Sequence, residues 1–238
     1  MNIALIGYGK MGKAIETLAL AKGHDIVLRI GSANRHELNN TNLKGADVCI
    51  EFSTPETAFE NVSACLRAGI PTVCGTTAWL QHLDEAKALC AANDTAFLYA
   101  SNFSVGVNLF FRISQYAAEL MSKHAQYRVS MEEIHHTAKK DAPSGTAVSL
   151  AEGILTSYPD LKGWVDHESS DPKELSIVSK RIDPAPGTHT VTYRSPIDEI
   201  NLNHTAHSRE GFASGALLAA EFLKGKKGVY GMGDVLGF

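Results

Sequence analysis

Residues 2–12 read Asn2-Ile3-Ala4-Leu5-Ile6-Gly7-Tyr8-Gly9-Lys10-Met11-Gly12, and this stretch decides the fold. Its first five residues are a short, almost wholly apolar run, the pattern of a strand buried on both faces of a parallel sheet. The next six match G-x-G-x-x-G in the setting that gives the motif meaning, straight after a strand and at the opening of a helix. Gly7 allows a tight turn, Gly9 lets backbone approach a pyrophosphate, and Gly12 permits close packing of the helix. The helix N-terminus, through Lys10 and Met11, adds amide donors and a partial positive charge. The bland alternative is a glycine-rich turn with no ligand. Met11, Ile15, Leu18 and Leu20 then recur near helical spacing until Lys22-Gly23 supplies a basic last turn and a stop.

The same grammar continues outward. Residues 25–30, 47–52, 71–75 and 95–100 read as strands, while 56–68 and 79–92 carry apolar residues at helical spacing. Strand-helix alternation predicts an α/β fold with a Rossmann-type doubly wound parallel sheet. From about residue 106 the pattern changes. Val107, Phe110, Phe111, Ile113, Ala117, Leu120 and Met121 mark a long amphipathic helix, followed by a strand over 127–135 and a helix from near Thr146. Residues 176–182, 189–194 and 199–206 alternate partly with period two, which predicts a second, α+β domain on a mixed or antiparallel sheet. One more apolar helix spans 210–224, and the glycine-rich tail 228–238 returns to close the first domain. The expected division is 1–105 completed by 209–238, with 106–208 as the second domain.

With 238 residues, 44% apolar and 20% charged, the chain has enough apolar residues for a substantial core. A net charge of −4 argues against a nucleic-acid surface, which needs a concentrated excess of Lys and Arg. No apolar run is long enough to span a membrane, and residues 1–22 lack the charged start and cleavage site of a secretory signal, so a cytoplasmic protein with a small-molecule partner is expected. The four cysteines, Cys49, Cys65, Cys74 and Cys90, form no C-x-x-C pair and read as buried thiols.

The chemistry concentrates in Glu132-Glu133-Ile134-His135-His136-Thr137-Ala138-Lys139-Lys140-Asp141-Ala142-Pro143-Ser144-Gly145-Thr146. It follows a strand and precedes a helix. His135 can supply a proton near neutral pH, and Lys139 a fixed positive charge. Ser144, Gly145 and Thr146 sit where a helix N-terminus offers amides and hydroxyls to a carboxylate. A polar loop with an N-capped helix would explain Ser144 or Thr146 singly. Neither H-E-x-x-H nor H-x-x-E-H is present, and adjacent His135 and His136 on a strand point to opposite faces, so no metal is expected. Nor is there a G-x-S-x-G elbow for a serine hydrolase.

The acidic residue that usually binds a ribose 2′-hydroxyl about 20 residues after the glycines is missing. The second strand ends Val27-Leu28-Arg29-Ile30-Gly31-Ser32, and Arg29 or Arg35 suits a 2′-phosphate. That leans toward NADPH, with ordinary solvated arginines as the alternative.

The H-H-x-x-K-x-D-A-P-S-G-T core at 135–146 resembles the signature of the dihydrodipicolinate reductases, also called 4-hydroxy-tetrahydrodipicolinate reductases. Further blocks match in order: the N-terminal glycine loop, Gly75-Thr76-Thr77, Ser101 to Asn108, Arg209 ahead of a C-terminal helix, and Gly231-Met232-Gly233-Asp234-Val235-Leu236. The resemblance implies that Gly7 to Gly12 hold dinucleotide phosphates and that Gly75, Thr77, Ser101, Asn102 and Phe103 line the nicotinamide side. It makes His135 the general acid, Lys139 the catalytic lysine, and His136, Ser144, Gly145 and Thr146 binders of substrate carboxylates. It implies NADPH or NADH as coenzyme, a homotetramer assembled by the second domain, and reduction of a cyclic imine derived from 4-hydroxy-tetrahydrodipicolinate in lysine and diaminopimelate biosynthesis. Two departures stand out: the family often has an acidic residue near Leu28, and Gly-Thr-Thr is often followed by glycine where this chain has Ala78. The rival readings are another NAD(P)-dependent dehydrogenase, which need not carry the 135–146 block, and a non-enzymatic NADPH sensor, which has no use for His135 with Lys139.

Overall fold

The computed structural model describes residues 1–208 and 210–238. In chain order, β1 (Asn2–Ile6), α1 (Lys10–Ala21), β2 (Asp25–Ile30), α2 (Asn40–Leu43), β3 (Val48–Glu51), α3 (Pro55–Arg67), β4 (Thr72–Cys74), α4 (Leu83–Ala92) and β5 (Ala96–Tyr99) alternate as the apolar runs require. Next come α5 (Val105–Met121), β6 (Arg128–His135), α6 (Gly145–Leu155), β7 (Gly163–Val165), β8 (Glu174–Arg181), β9 (Thr188–Arg194) and β10 (Glu199–Thr205). The chain ends with α7 (Glu210–Leu223), β11 (Gly228–Tyr230) and α8 (Met232–Leu236). It forms two compact units, one of Met1–Val105 with Glu210–Phe238 and the other of the intervening chain.

The first unit is a parallel six-stranded sheet in the order β11-β5-β4-β3-β1-β2. Alternate residues of the central strands feed opposite layers, as the period of two demands. Ile3, Leu5, Val48, Ile50, Val73 and Leu98 pack with α1 and α7, while Ala4, Ile6, Cys49, Cys74 and Phe97 face the side covered by α2, α3 and α4. The strand order reverses between β1 and β3, and at such a switch point the loops at the carboxyl ends of the two strands part and open a crevice. β2 is the edge strand and only half-buried, and a 3₁₀ segment over Ser32–Glu37 follows it. All four cysteines are buried and unpaired by disulfides.

The second unit is a mixed five-stranded sheet, β10-β9-β6-β8-β7, with β9 antiparallel to both neighbours and β6, β8 and β7 parallel. Phe110 and Ala118 of α5 and Ala147, Leu150, Ala151 and Ile154 of α6 pack on one sheet face. The other face bears Arg128, Glu132, Lys180 and Arg194 around a polar groove of about 650 Å³.

Most element bounds agree with the sequence reading to within two residues. The expected helix over 79–92 instead opens with a 3₁₀ turn, Leu80–His82, before α4. The short α2, β7 and the Ser32–Glu37 segment were not anticipated, because pieces of three to six residues are too short to show a period.

Candidate functional site

The glycine turn lies at the switch point of the first sheet. Gly7 has φ +94°, and a side chain there would overlap the Phe52 carbonyl at the end of β3. A Cβ on Gly12 would sit 2.5 Å from the Gly7 carbonyl, so this glycine lets the first turn of α1 close onto its own loop. Gly9 is different: a Cβ there meets nothing within 4 Å. As N-cap of α1 it offers no side-chain cap, and the first helical turn carries no acidic residue. The amides at the start of α1 are therefore left to an anionic ligand. Gly9, Lys10, Met11, Gly75 and Thr77 line one cavity of about 450 Å³. Gly7, Gly9, Arg29, Ser32 and Arg35 line another of about 810 Å³. A bare helix N-terminus between two cavities fits an extended dinucleotide.

Not every residue expected on the coenzyme side offers its side chain. Phe103 is 2% exposed, its ring packs 5.5 Å from that of Phe52 and its carbonyl lies against Gly215 of α7, so it backs the turn from inside the core. Ser101 is exposed, and Asn102 Oδ1 accepts from the Ser104 amide at 2.9 Å. Arg29 and Arg35 reach the second cavity already paired. Glu16 of α1 accepts from Arg29 Nε at 3.0 Å and from its Nη2, while Tyr8 donates to the other Glu16 oxygen. Arg35 pairs with Glu60. The arginine hydrogen bond, with that from Tyr8, lowers the Glu16 carboxyl below its ordinary range.

In the second unit the odd residues of β6 face the helices, which buries Val129, Met131, Glu133 and His135 in turn. A carboxylate at a core-facing position needs partners. Register brings them: Glu133 lies opposite His189 on β9 and Ser179 on β8, and His135 lies opposite Arg181. Glu133 Oε1 accepts from Arg181 Nη2 at 3.1 Å and from the Ser144 amide at 3.0 Å. Its Oε2 lies 3.3 Å from His135 Nδ1 and 3.7 Å from His189 Nε2. Burial pushes the Glu133 carboxyl up, but the polar groups of His135, Ser144 and Ser179 around it outweigh burial and leave the group far below the ordinary carboxylate range. Burial first, then the neighbouring His135, pushes His189 down to about 4, so it is neutral at pH 7.

Beyond β6 the chain turns at His136, whose carbonyl accepts from the Lys139 amide at 3.1 Å. Lys139 Nζ pairs with Asp141 at 2.9 Å, and this lysine lowers the Asp141 carboxyl. Ser144 is the N-cap of α6: its Oγ accepts from the Ala147 amide at 3.1 Å and lies 3.2 Å from His189 Nε2. Its amide donates to Glu133 and its hydroxyl caps α6, while the Oγ keeps further hydrogen-bonding capacity. Gly145 is exposed and Thr146 half-buried on the first turn of α6. Arg209 lies outside the described residues.

Sequence reasoning missed His189, Arg181 and the anchoring part of Glu133. Glu133 carried a signal, a charged residue in a core-facing place of an alternating strand; the other two carried none. Among the described residues, Glu133, His135 and His189 are also the one set of three donors within 4.8 Å of one another. Arg181 already sets a positive charge on that carboxylate, which opposes a dication there.

Residues 1–103 match the family described as "Dihydrodipicolinate reductase, N-terminus" and residues 106–236 that described as "Dihydrodipicolinate reductase, C-terminus". A 4-hydroxy-tetrahydrodipicolinate reductase of Christiangramia forsetii is 48% identical over 237 residues, covering 99% of this chain and 98% of its own. Another, from Thiobacillus denitrificans, is 36% identical over 203 residues, 82% of this chain and 75% of its own. The fold resembles that of a dipicolinate-bound dihydrodipicolinate reductase from Paenisporosarcina sp. TG-14, with a TM-score of 0.78 over 97% of each chain at 22% identity. The glycine turn, the 135–146 block and full-length identity agree: the chain belongs to the dihydrodipicolinate reductase family, NAD(P)H-dependent oxidoreductases of the lysine and diaminopimelate pathway.

Proposed function

We propose that this chain carries out the family reaction, reduction of the cyclic imine derived from 4-hydroxy-tetrahydrodipicolinate to tetrahydrodipicolinate, with the first unit binding coenzyme and the second binding substrate. Bound NAD(P)H supplies the hydride. The α1 amides and Gly9 hold its phosphates, and the backbone around Gly75, Thr77 and Ser101–Phe103 lines the nicotinamide side. Lys139, His136 and the Gly145–Thr146 turn of α6 hold the two substrate carboxylates. As the new C–H bond forms, negative charge builds on the conjugated ring; the Lys139 ammonium stabilises it and His135 donates the proton that neutralises it. The observation that carries this reading is His135 held beside a carboxylate at the end of β6, four residues before Lys139 and ten before the start of α6.

The assay is loss of reduced-nicotinamide absorbance with freshly prepared substrate. Lys139→Ala and His135→Ala should each lower kcat by on the order of 10²-fold while leaving NADPH affinity nearly intact. Wild-type turnover in either variant removes that residue from the mechanism. No helix among the described residues is long and apolar enough to cross a membrane, and we place the protein in the cytoplasm. The assembly is a homotetramer built through the second unit, which light scattering on the purified protein tests directly.

A further inference from the structure

We propose that Glu133 is the positioning residue of the proton donor: its buried carboxylate holds the His135 proton on Nδ1 and thereby makes Nε2 the atom that exchanges a proton with substrate. This rests on the assignment of His135 as the acid. Glu133 is fully buried, and Arg181 and the Ser144 amide fix one of its oxygens from two different elements. A carboxylate so braced cannot turn its second oxygen away. That oxygen lies 3.3 Å from His135 Nδ1, an ion-pair contact short of hydrogen-bond geometry, and neither atom has a hydrogen-bond partner elsewhere among the described residues, so each is the polar group at hand to satisfy the other. The competing imidazole, His189, is neutral at pH 7, lies farther from the same oxygen at 3.7 Å, and has its Nε2 beside Ser144 Oγ.

The opposite end of the His135 ring is held as closely. A Cβ on Gly187 would sit 3.0 Å from Nε2 and 3.3 Å from Cδ2, so only a residue without a side chain leaves that edge of the ring clear. The ring is thus gripped at Nδ1 by charge and bordered at Nε2 by bare backbone. In the step this serves, the Nε2–H bond of the imidazolium breaks as the substrate takes the proton. The electron pair stays on Nε2 and the remaining proton stays on Nδ1 against Glu133. The neutral imidazole that results is already in the tautomer ready to be reprotonated from solvent at Nε2. The same carboxylate also ties the acid to the first turn of α6, through the Ser144 amide. One buried group therefore sets the spacing between the proton donor and the anion-binding turn.

The test is imidazole ¹⁵N NMR on the full-length protein, with the His135 signals assigned by their loss in His135→Asn, combined with kinetics of Glu133→Gln and Glu133→Asp. In wild type, neutral His135 should carry its proton on Nδ1. In Glu133→Gln that tautomer should be lost or mixed, and kcat should fall by at least about tenfold. The affinities for NADPH and for pyridine-2,6-dicarboxylate should change by no more than about twofold, and Glu133→Asp should restore part of kcat. A group that only supported the fold would move the melting temperature and leave the tautomer alone. Neutral wild-type His135 protonated on Nε2 overturns the proposal, as does Glu133→Gln with wild-type kcat. If Glu133→Gln fails to fold because Arg181 loses its counter-charge, the wild-type tautomer and Glu133→Asp still decide. Full activity in His135→Ala would instead remove the acid assignment, a result that the tautomer measurement does not depend on.

Discussion

Lowering the pH should destabilise this protein through His189 before the ordinary carboxylates titrate. His189 is 5% exposed, and its pKa is pushed from an ordinary 6.5 down to about 4 by burial and by the adjacent His135. The fold therefore favours the neutral ring, whereas the unfolded chain takes up a proton as pH drops below 6.5. Between pH 6.5 and 4 the unfolded state binds more protons, so stability falls with falling pH across that window and is fully present above it. At about 1.4 kcal/mol per unit, a depression of roughly 2.5 units amounts to roughly 3 kcal/mol at its limit. For a chain of this size that corresponds to a loss of roughly 6–12 °C in Tm. The assay is reversible urea unfolding by circular dichroism at intervals from pH 7.5 to 4, in wild type and His189→Gln. The variant starts less stable because Ser144 Oγ loses one of its two partners, but its stability should depend less steeply on pH by about one proton's worth, about 1.4 kcal/mol per pH unit at most. Parallel pH profiles for the two proteins would refute the reasoning.

Coenzyme choice should follow the Glu16–Arg29 pair: Glu16→Gln releases the guanidinium for a 2′-phosphate and should raise the NADPH-to-NADH ratio of kcat/KM by roughly fivefold, about 1 kcal/mol for a solvent-exposed charged contact. Arg29→Ala should lower the same ratio, and a ratio unmoved in both variants would show that neither residue reads the ribose. Gly187→Ala should press on His135 Nε2 and lower kcat by about tenfold or more with coenzyme affinity unchanged, as read by steady-state kinetics and NADPH titration. Ala78 has φ +61°, a left-handed conformation that glycine adopts without strain. Ala78→Gly should therefore stabilise the first unit by about 0.5–1 kcal/mol, and a lower melting temperature would contradict this.

The first sheet was legible because its signals are local: apolar runs of four to six residues, helical spacing between them, and a glycine turn whose context is set by its immediate neighbours. The family block at 135–146 was legible for the same reason. What escaped was whatever depends on register. Arg181 and His189 meet Glu133 only because β8 and β9 flank β6 in one particular alignment, and nothing within either strand announces that pairing. Arg29 shows the same limit on a smaller scale. Its place on the cavity shared with Gly7 and Gly9 follows from the end of β2, but its partner Glu16 sits thirteen residues earlier on α1. Ser144 shows that a helix N-terminus in sequence marks two things at once, a cap and a place for an anion, and the structure shows the cap.

The last 29 residues complete the first unit, with α7 lying over β3, β4 and β5 and β11 pairing beside β5. During synthesis this has an order built into it. The ribosome delivers β1 to β5 early, yet α1 alone covers only part of the face bearing Val48, Ile50, Val73 and Leu98 until α7 emerges, and the sheet edge at β5 stays unpaired until β11 is made. The second unit is whole before then. A nascent chain is therefore expected to carry a finished α+β body behind an open, sticky half-sheet, and a truncation that removes α7 and β11 should leave a protein that aggregates through its first unit while the second stays folded.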